Sequence, residues 1–248
     1  MRAITLLSVL YLTLGVLDSA TAQPLSSPYD FPIKPGTPKW NSLSSFSERL
    51  AVCQIPQDLL QRMTTEALVE TCLDYPHFES FIFYEDSLGG MGTVVAGFNG
   101  LQELIHRKDA GSVLLRKYQE YDPRGYDKNW PLAKQGRYAT LLGGLELLLG
   151  DYSILSNLRP DERRALLAVA VERSRAKLQD HDNYALLDVQ KSAWLAGRVM
   201  VTENFDEYLK TLGDNNRLSY PIARRDFLDT LGINATLRHA DTFIGNNR

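Results

Sequence analysis

Cysteine is scarce: Cys53 and Cys72 are the whole supply in 248 residues. At most one bridge can form, which excludes a small disulfide-stapled scaffold. A bridge across that separation would stabilise by about 3 kcal/mol in the chain-entropy picture. Two buried free thiols are the other arrangement, and the spacing leaves both open. No C-x-x-C pair, no H-E-x-x-H and no G-x-S-x-G occurs, so familiar redox, zinc and hydrolase signatures are missing. Positive charge is not in excess either: 27 Lys and Arg stand against 30 Asp and Glu, net −3. A nucleic-acid partner, which needs a basic patch, is therefore not expected. Beyond the first residues no apolar run approaches the length that spans a bilayer, and no Lys- or Arg-rich run marks a membrane-surface segment.

What is present begins with "MRAITLLSVLYLTLGVLDSATA". Arg2 precedes an apolar run from Ala3 to Val16, and Ala20-Thr21-Ala22 is a small-x-small cleavage pattern. These features predict a secretory signal peptide over 1–22, with the mature chain starting at Gln23. The expected product is secreted, periplasmic or cell-surface associated, with no membrane insertion after cleavage. Arg2 and Asp18 are the leader's only charges, so its removal leaves the net charge at −3.

Residues 23–47 hold five prolines among many serines, which predicts an extended linker or strap without regular helix. Tyr29, Phe31, Ile33 and Trp40 favour strapping onto the domain. From residue 48 onward helical periodicity dominates, and alternating strand patterns with hairpin turns are nearly absent. Tyr138, Leu141, Leu142, Leu145, Leu148 and Leu149 form one stripe, with Gly150 as the stop. Val94, Phe98, Leu101, Leu104 and Ile105 form another. Asp109 is expected to cap a helix with Val113, Leu114 and Tyr118 on its inner face. Pro160, Asp161 and Glu162 open a helix to about Leu178. Asn204 is expected to cap one with Phe205, Tyr208, Leu209 and Leu212 inside and Gly213 at its end. Residues 222–231 predict a last helix, stopped by Gly232. Helix 184–200 is apolar on two sides: Tyr184, Trp194 and Leu195 on one, Leu186, Val189, Ala193, Ala196 and Met200 on the other. That pattern predicts burial between neighbours, at the centre of the domain. The fold class is all-α, a bundle or a stack of antiparallel helix pairs, forming one domain over 48–248. No repeat of 30–45 residues establishes a solenoid.

The stretch "TTEALVETCLDYP" (64–76) is helical by pattern, with Thr64 or Thr65 as cap. Leu68, Cys72 and Tyr75 share one line, and Glu66, Glu70 and Asp74 lie opposite. Like charges four residues apart repel mildly in water and severely when buried, so the acidic row reads as a solvated face. A Ca²⁺ site would need oxygens converging from a loop.

Three short matches to catalytic or binding patterns are weak. "SRAK" (Ser174 to Lys177) fits S-x-x-K, but the S-D-N and K-T-G elements that accompany it are missing. His77, His106, His181 and His239 each have a nearby acid, yet none has a second histidine within reach along the chain. "GGMGTVVAGFNG" (89–100) lacks the dinucleotide and P-loop spacings and reads as a turn into a helix, with Gly97 and Gly100 allowing close packing. No residue is assigned as catalytic, cofactor-binding or metal-binding.

The stretches "PIKPGTPKW", "CQIPQDLLQRMTTEALVETCLDYP", "FNGLQELIHRKDAGSVLLRKY" and "GLELLLGDYSILSNLRPDERRALL" resemble a family of exported bacterial proteins, best populated in Bacteroides-type organisms, with no assigned activity. The likeness runs from about residue 32 to 210, and "TEALVET-L-YP" is its most specific phrase. It implies bacterial origin, export and an all-helical fold, and it offers no catalytic motif to carry over. Bacterial origin would make the sequon at Asn234 irrelevant. Arg159 departs from the pattern, standing where a capping Ser is usual before "PDER". The leading expectation is a non-catalytic interaction module that binds a protein or glycan outside the cytoplasm. The alternative is a secreted hydrolase whose carboxylates are assembled in space.

Overall fold

The computed structural model describes residues 23–214 and 228–246. The expected signal peptide lies outside them, and so do residues 222–227 of the helix expected over 222–231. Among the described residues the chain is all-α. Its helices are α1 (Pro38–Asn41), α2 (Phe46–Val52), α3 (Gln57–Arg62), α4 (Thr65–Leu73), α5 (Ser87–Gly97), α6 (Asn99–His106), α7 (Ala110–Glu120), α8 (Leu132–Leu149), α9 (Tyr152–Asn157), α10 (Pro160–Gln179), α11 (Leu186–Thr202), α12 (Asp206–Asp214) and α13 (Thr230–Asn246). Two 3₁₀ turns, Phe78–Phe83 and Pro123–Gly125, join them. The only β-type pairing among the described residues is an isolated bridge between Leu25 and Met63.

α11 is the central element. It packs along α10, from which residues 180–185 separate it, and against α8 and α13. Val189, Ala193, Trp194, Leu195, Ala196, Val199 and Met200 are all buried on it, so the two-sided apolar pattern was a true sign of burial. Leu186 departs from the expectation. It is the first residue of α11 and is 47% exposed. Buried apolar side chains form one cluster running from Phe31 to Phe243.

Several sequence expectations need correction. The stripe 94–105 is not one helix: α5 and α6 break at Phe98, which is extended. The break is clamped from afar. Gln54 Nε2 donates to the Gly97 carbonyl (3.0 Å) and Gln54 Oε1 accepts from Asn99 N (3.0 Å). The Asn99 side chain pairs with both backbone groups of Ile55. The helix-end groups exposed by the break are satisfied in this way. Gly89, Gly90 and Gly92 lie inside α5 rather than in a turn before it. Asp109 precedes α7 but does not cap it with its side chain; its carboxylate accepts from the Thr65 hydroxyl instead (2.9 Å). Gly232 does not stop a helix. It is buried within α13, where its N–H donates to the Asp229 carboxylate (2.7 Å), and Asp229 thereby serves the start of that helix.

Gly213 also lies within a helix, α12, rather than just past its end. Residues 23–47 likewise differ from a helix-free segment. Pro38 sits at the first turn of α1, where proline costs no hydrogen bond, and Thr37 caps it. Ser45 and Glu48 form a capping box that starts α2. Upstream, Leu25 exchanges backbone hydrogen bonds with Arg62 and Thr64, and Tyr29 N donates to Thr71 Oγ1 (2.8 Å). Phe31 and Trp40 are buried. Cys53 and Cys72 are free thiols, both buried, and burial pushes each thiol up, Cys53 to about 11.

Candidate functional site

Two environments bring chemistry-bearing residues together. The first is internal. Lys177 on α10 donates to Glu146 Oε1 and Oε2 on α8 (2.8 Å each), to Ser192 Oγ on α11 (2.9 Å) and to the Asp188 carbonyl (3.0 Å). Glu146 Oε1 also accepts from Tyr118 Oη (2.9 Å) and from Ser192 Oγ (2.6 Å). Burial pulls the Lys177 amine below its ordinary value, and Glu146 opposes the shift. Burial and the Glu146 carboxylate push the Tyr118 phenol up. A serine hydroxyl 2.9 Å from a lysine amine is the geometry of a nucleophile and its base. Here, however, Glu146 and Ser192 are fully buried and Lys177 is 1% exposed, so no substrate reaches them. The same position of Lys177 disposes of the S-x-x-K match: Ser174 is also buried, has no hydrogen-bond partner, and is not the serine that Lys177 touches.

This cluster was missed in the sequence, although signals exist. Glu146 interrupts the leucine run "LELLLG", and Lys177 falls at helical spacing from Leu166, Ala170 and Ser174 on the inner face of α10. Opposite charges on the inward faces of two helices must meet or remain unpaired in the core.

The second environment is at the surface, on either side of the segment Tyr75–Glu79. Aromatic rings organise it. Tyr75 stacks on Phe98 (centroids 4.1 Å apart), and Phe31 leans on both. Trp40, Phe46 and Tyr75 surround the His77 ring at 5.4, 5.0 and 5.7 Å. His77 Nε2 is buried with no hydrogen-bond partner. Burial, and then the Arg49 guanidinium, hold the His77 pKa below the usual histidine value, so its ring is neutral at pH 7.

On one side lies a polar pocket of about 350 Å³ lined by Tyr29, Asp30, Lys34, Asp74, Glu79 and Arg137. Arg137 donates to Glu79 Oε1 (3.0 Å), Asp74 Oδ1 (2.8 Å) and the Leu73 carbonyl (3.2 Å). Lys34 pairs with Asp30. The carboxylates of this pocket are thus committed to cations. On the other side, between α2 and α5, lies an apolar groove of about 270 Å³ lined by Phe46, Leu50, Tyr75, His77, Tyr84 and Val94. Phe46 is 55% exposed and Tyr84 41%, and the turn leading to Tyr84 exposes Ile82 and Phe83 as well.

The acidic row of α4 is solvated, and each member is paired across to a neighbouring helix. Glu66 meets Arg116, Glu70 meets Lys117 and Asp74 meets Arg137, at 2.9, 2.7 and 2.8 Å. Among the described residues no three His, Cys, Asp or Glu side chains gather as a metal site. His239 contacts the Thr211 hydroxyl (3.1 Å). No described helix is long and apolar enough to cross a membrane.

No protein-family description, curated protein or solved structure matches the chain.

Proposed function

We propose that this chain is an exported bacterial binding module, a non-catalytic helical domain that recognises a partner outside the cytoplasm. The observation that carries this reading is the apolar groove between α2 and α5, whose aromatic walls stay exposed in a domain with ample core to bury them. An exposed cluster of aromatic and aliphatic side chains marks a surface that awaits a partner. The hydrolase alternative draws less support. Asp74 and Glu79 do converge on a concave surface, but Arg137 bridges them, which leaves no carboxylate poised as a general acid opposite a general base. The hydroxyl, amine and carboxylate that do meet closely are sealed in the core.

Two measurements test the reading. Mass spectrometry of the exported form should find Gln23 at its N-terminus; retention of residues 1–22 overturns export by cleavage. Chromogenic glycoside, ester and peptide substrates should not be turned over. Turnover that disappears in Asp74→Asn or Glu79→Gln would replace the binding reading with the hydrolase one.

A further inference from the structure

The apolar groove can be given a ligand chemistry, which rests on the binding reading above. Its volume of about 270 Å³ lies below the range typical of whole small-molecule ligands and suits one large side chain. Ile82 and Phe83 continue the apolar surface past Tyr84, so the partner extends beyond that one anchor.

Charge decides which kind of partner fits. From Met63 to His106 the chain contains no Lys or Arg, while it holds Glu66, Glu70, Asp74, Glu79, Glu85, Asp86 and Glu103. Most of these acids are satisfied by cations from elsewhere: Arg116, Lys117, Arg137 and Arg107. Asp86 caps α5. Glu85, next to Tyr84, is exposed and has no hydrogen-bond or ion-pair partner among the described residues. The Tyr84 side of the groove is therefore acidic, while Arg49 on α2 places one positive charge on the His77 side. An anionic lipid surface would be repelled there. A second copy using the same face would bring two copies of Glu85 and Asp86 into one interface, which adds like charge.

We propose that the groove between α2 and α5 binds a basic peptide segment, one large apolar side chain of which enters between Phe46 and Tyr84. Lysines or arginines flanking that side chain meet Glu85 and Asp86.

The test uses the folded chain from Gln23 onward and three fluorescein-labelled synthetic peptides: a central Phe flanked by lysines, the same with glutamates for lysines, and the first with Ser for Phe. Anisotropy should give about tenfold or greater preference for the Lys-flanked Phe peptide over both others, with binding weakened by salt. Phe46→Ser with Tyr84→Ser should weaken it about tenfold or more, and Glu85→Lys should weaken it in the same direction. Tyr152→Ser, a more exposed aromatic on α9, should leave it unchanged. Equal binding of the lysine and glutamate peptides, or indifference to the Phe46 and Tyr84 changes, overturns the proposal. If no peptide binds yet the chain retains an exported component that Arg137→Ala releases, the groove assignment falls and the binding reading stands. If neither surface retains anything, both fall.

Discussion

Lys177 and Glu146 form a salt bridge at 2.8 Å with side chains 1% and 0% exposed, joining α10 to α8 beneath α11. An ion pair taken wholly out of water gains strong Coulomb attraction but loses hydration on both sides, so it need not stabilise the fold over an apolar pair. What it does enforce is mutual dependence, because either charge alone in that core is far worse than both.

The first prediction rests on that dependence. Glu146→Leu or Lys177→Met alone should cost about 3–5 kcal/mol, since each leaves one buried charge unpaired. The double variant should lose much less than the sum of the two. Urea unfolding of all four forms closes the cycle. Additive losses would show that the two groups do not depend on each other.

The all-α class and the centrality of α11 were legible because a single helix face or pair of faces carries enough residues to reveal its period. Leu141, Leu142, Leu145, Leu148 and Leu149 announce α8 without help from any other part of the chain. The break at Phe98 was not legible, because the groups that clamp it, Gln54 and Ile55, are more than 40 residues away. Asp109 was misassigned for the same reason: its partner, Thr65, belongs to α4. The surface groove is hidden further still. Phe46 lies in a segment that prolines and serines mark as irregular, Tyr84 ends a 3₁₀ turn, and neither belongs to a periodic stripe. Periodicity says which side chains face inward; it does not say which inward-type side chains will be left outside.

A second prediction concerns the contact of Gly150 with Trp194. A Cβ at position 150 would fall 2.0 Å from Trp194 Cζ3, so the helix stop there is also a docking surface for the indole. Gly150→Ala should cost about 1–3 kcal/mol by overpacking. Trp194→Ala should cost about 3–5 kcal/mol as a truncation of a buried aromatic ring. The second change should relieve much of the first. Thermal unfolding that is unchanged in Trp194→Ala would deny α11 its central role.

A third prediction is a loss of stability on mild acidification. Burial lowers the pKa of both His77 and His239 in the folded chain. The unfolded chain therefore binds protons first as pH falls. The stabilisation from holding both rings neutral is complete above the unfolded value of about 6.5 and is lost as pH falls through the lower folded values. Urea midpoints measured from about pH 7 to about pH 5, above the carboxylate range, should decline. In His77→Phe the decline should be shallower. A flat profile in the wild type would mean that these rings are not shielded from water.

The last prediction returns to Glu66, Glu70 and Asp74. Their side chains are 62, 44 and 65% exposed, so each pair with Arg116, Lys117 or Arg137 sits in water-like surroundings and contributes only about 0–1 kcal/mol. Removing the charges also removes the repulsion between neighbours four residues apart, which offsets part of the loss. Lys117 is the most enclosed of the three cations, with its side chain 19% exposed. Burial pulls its pKa down, but hydrogen bonds to Glu70 and Glu120 outweigh that and hold it above the usual lysine range. Glu70→Gln should therefore be the costliest single change of the three. The triple Gln variant should lose a small amount of stability at low salt, and the difference from wild type should shrink as salt screens the pairs. Melting curves in Ca²⁺ and in chelator should coincide for both forms, because each carboxylate already faces a cation and the three lie along a ridge rather than around a point. A Ca²⁺-dependent rise in melting temperature, present in the wild type and gone in the triple variant, would make the row a metal site and remove it from the ion-pair lattice that ties α4 to α7 and α8.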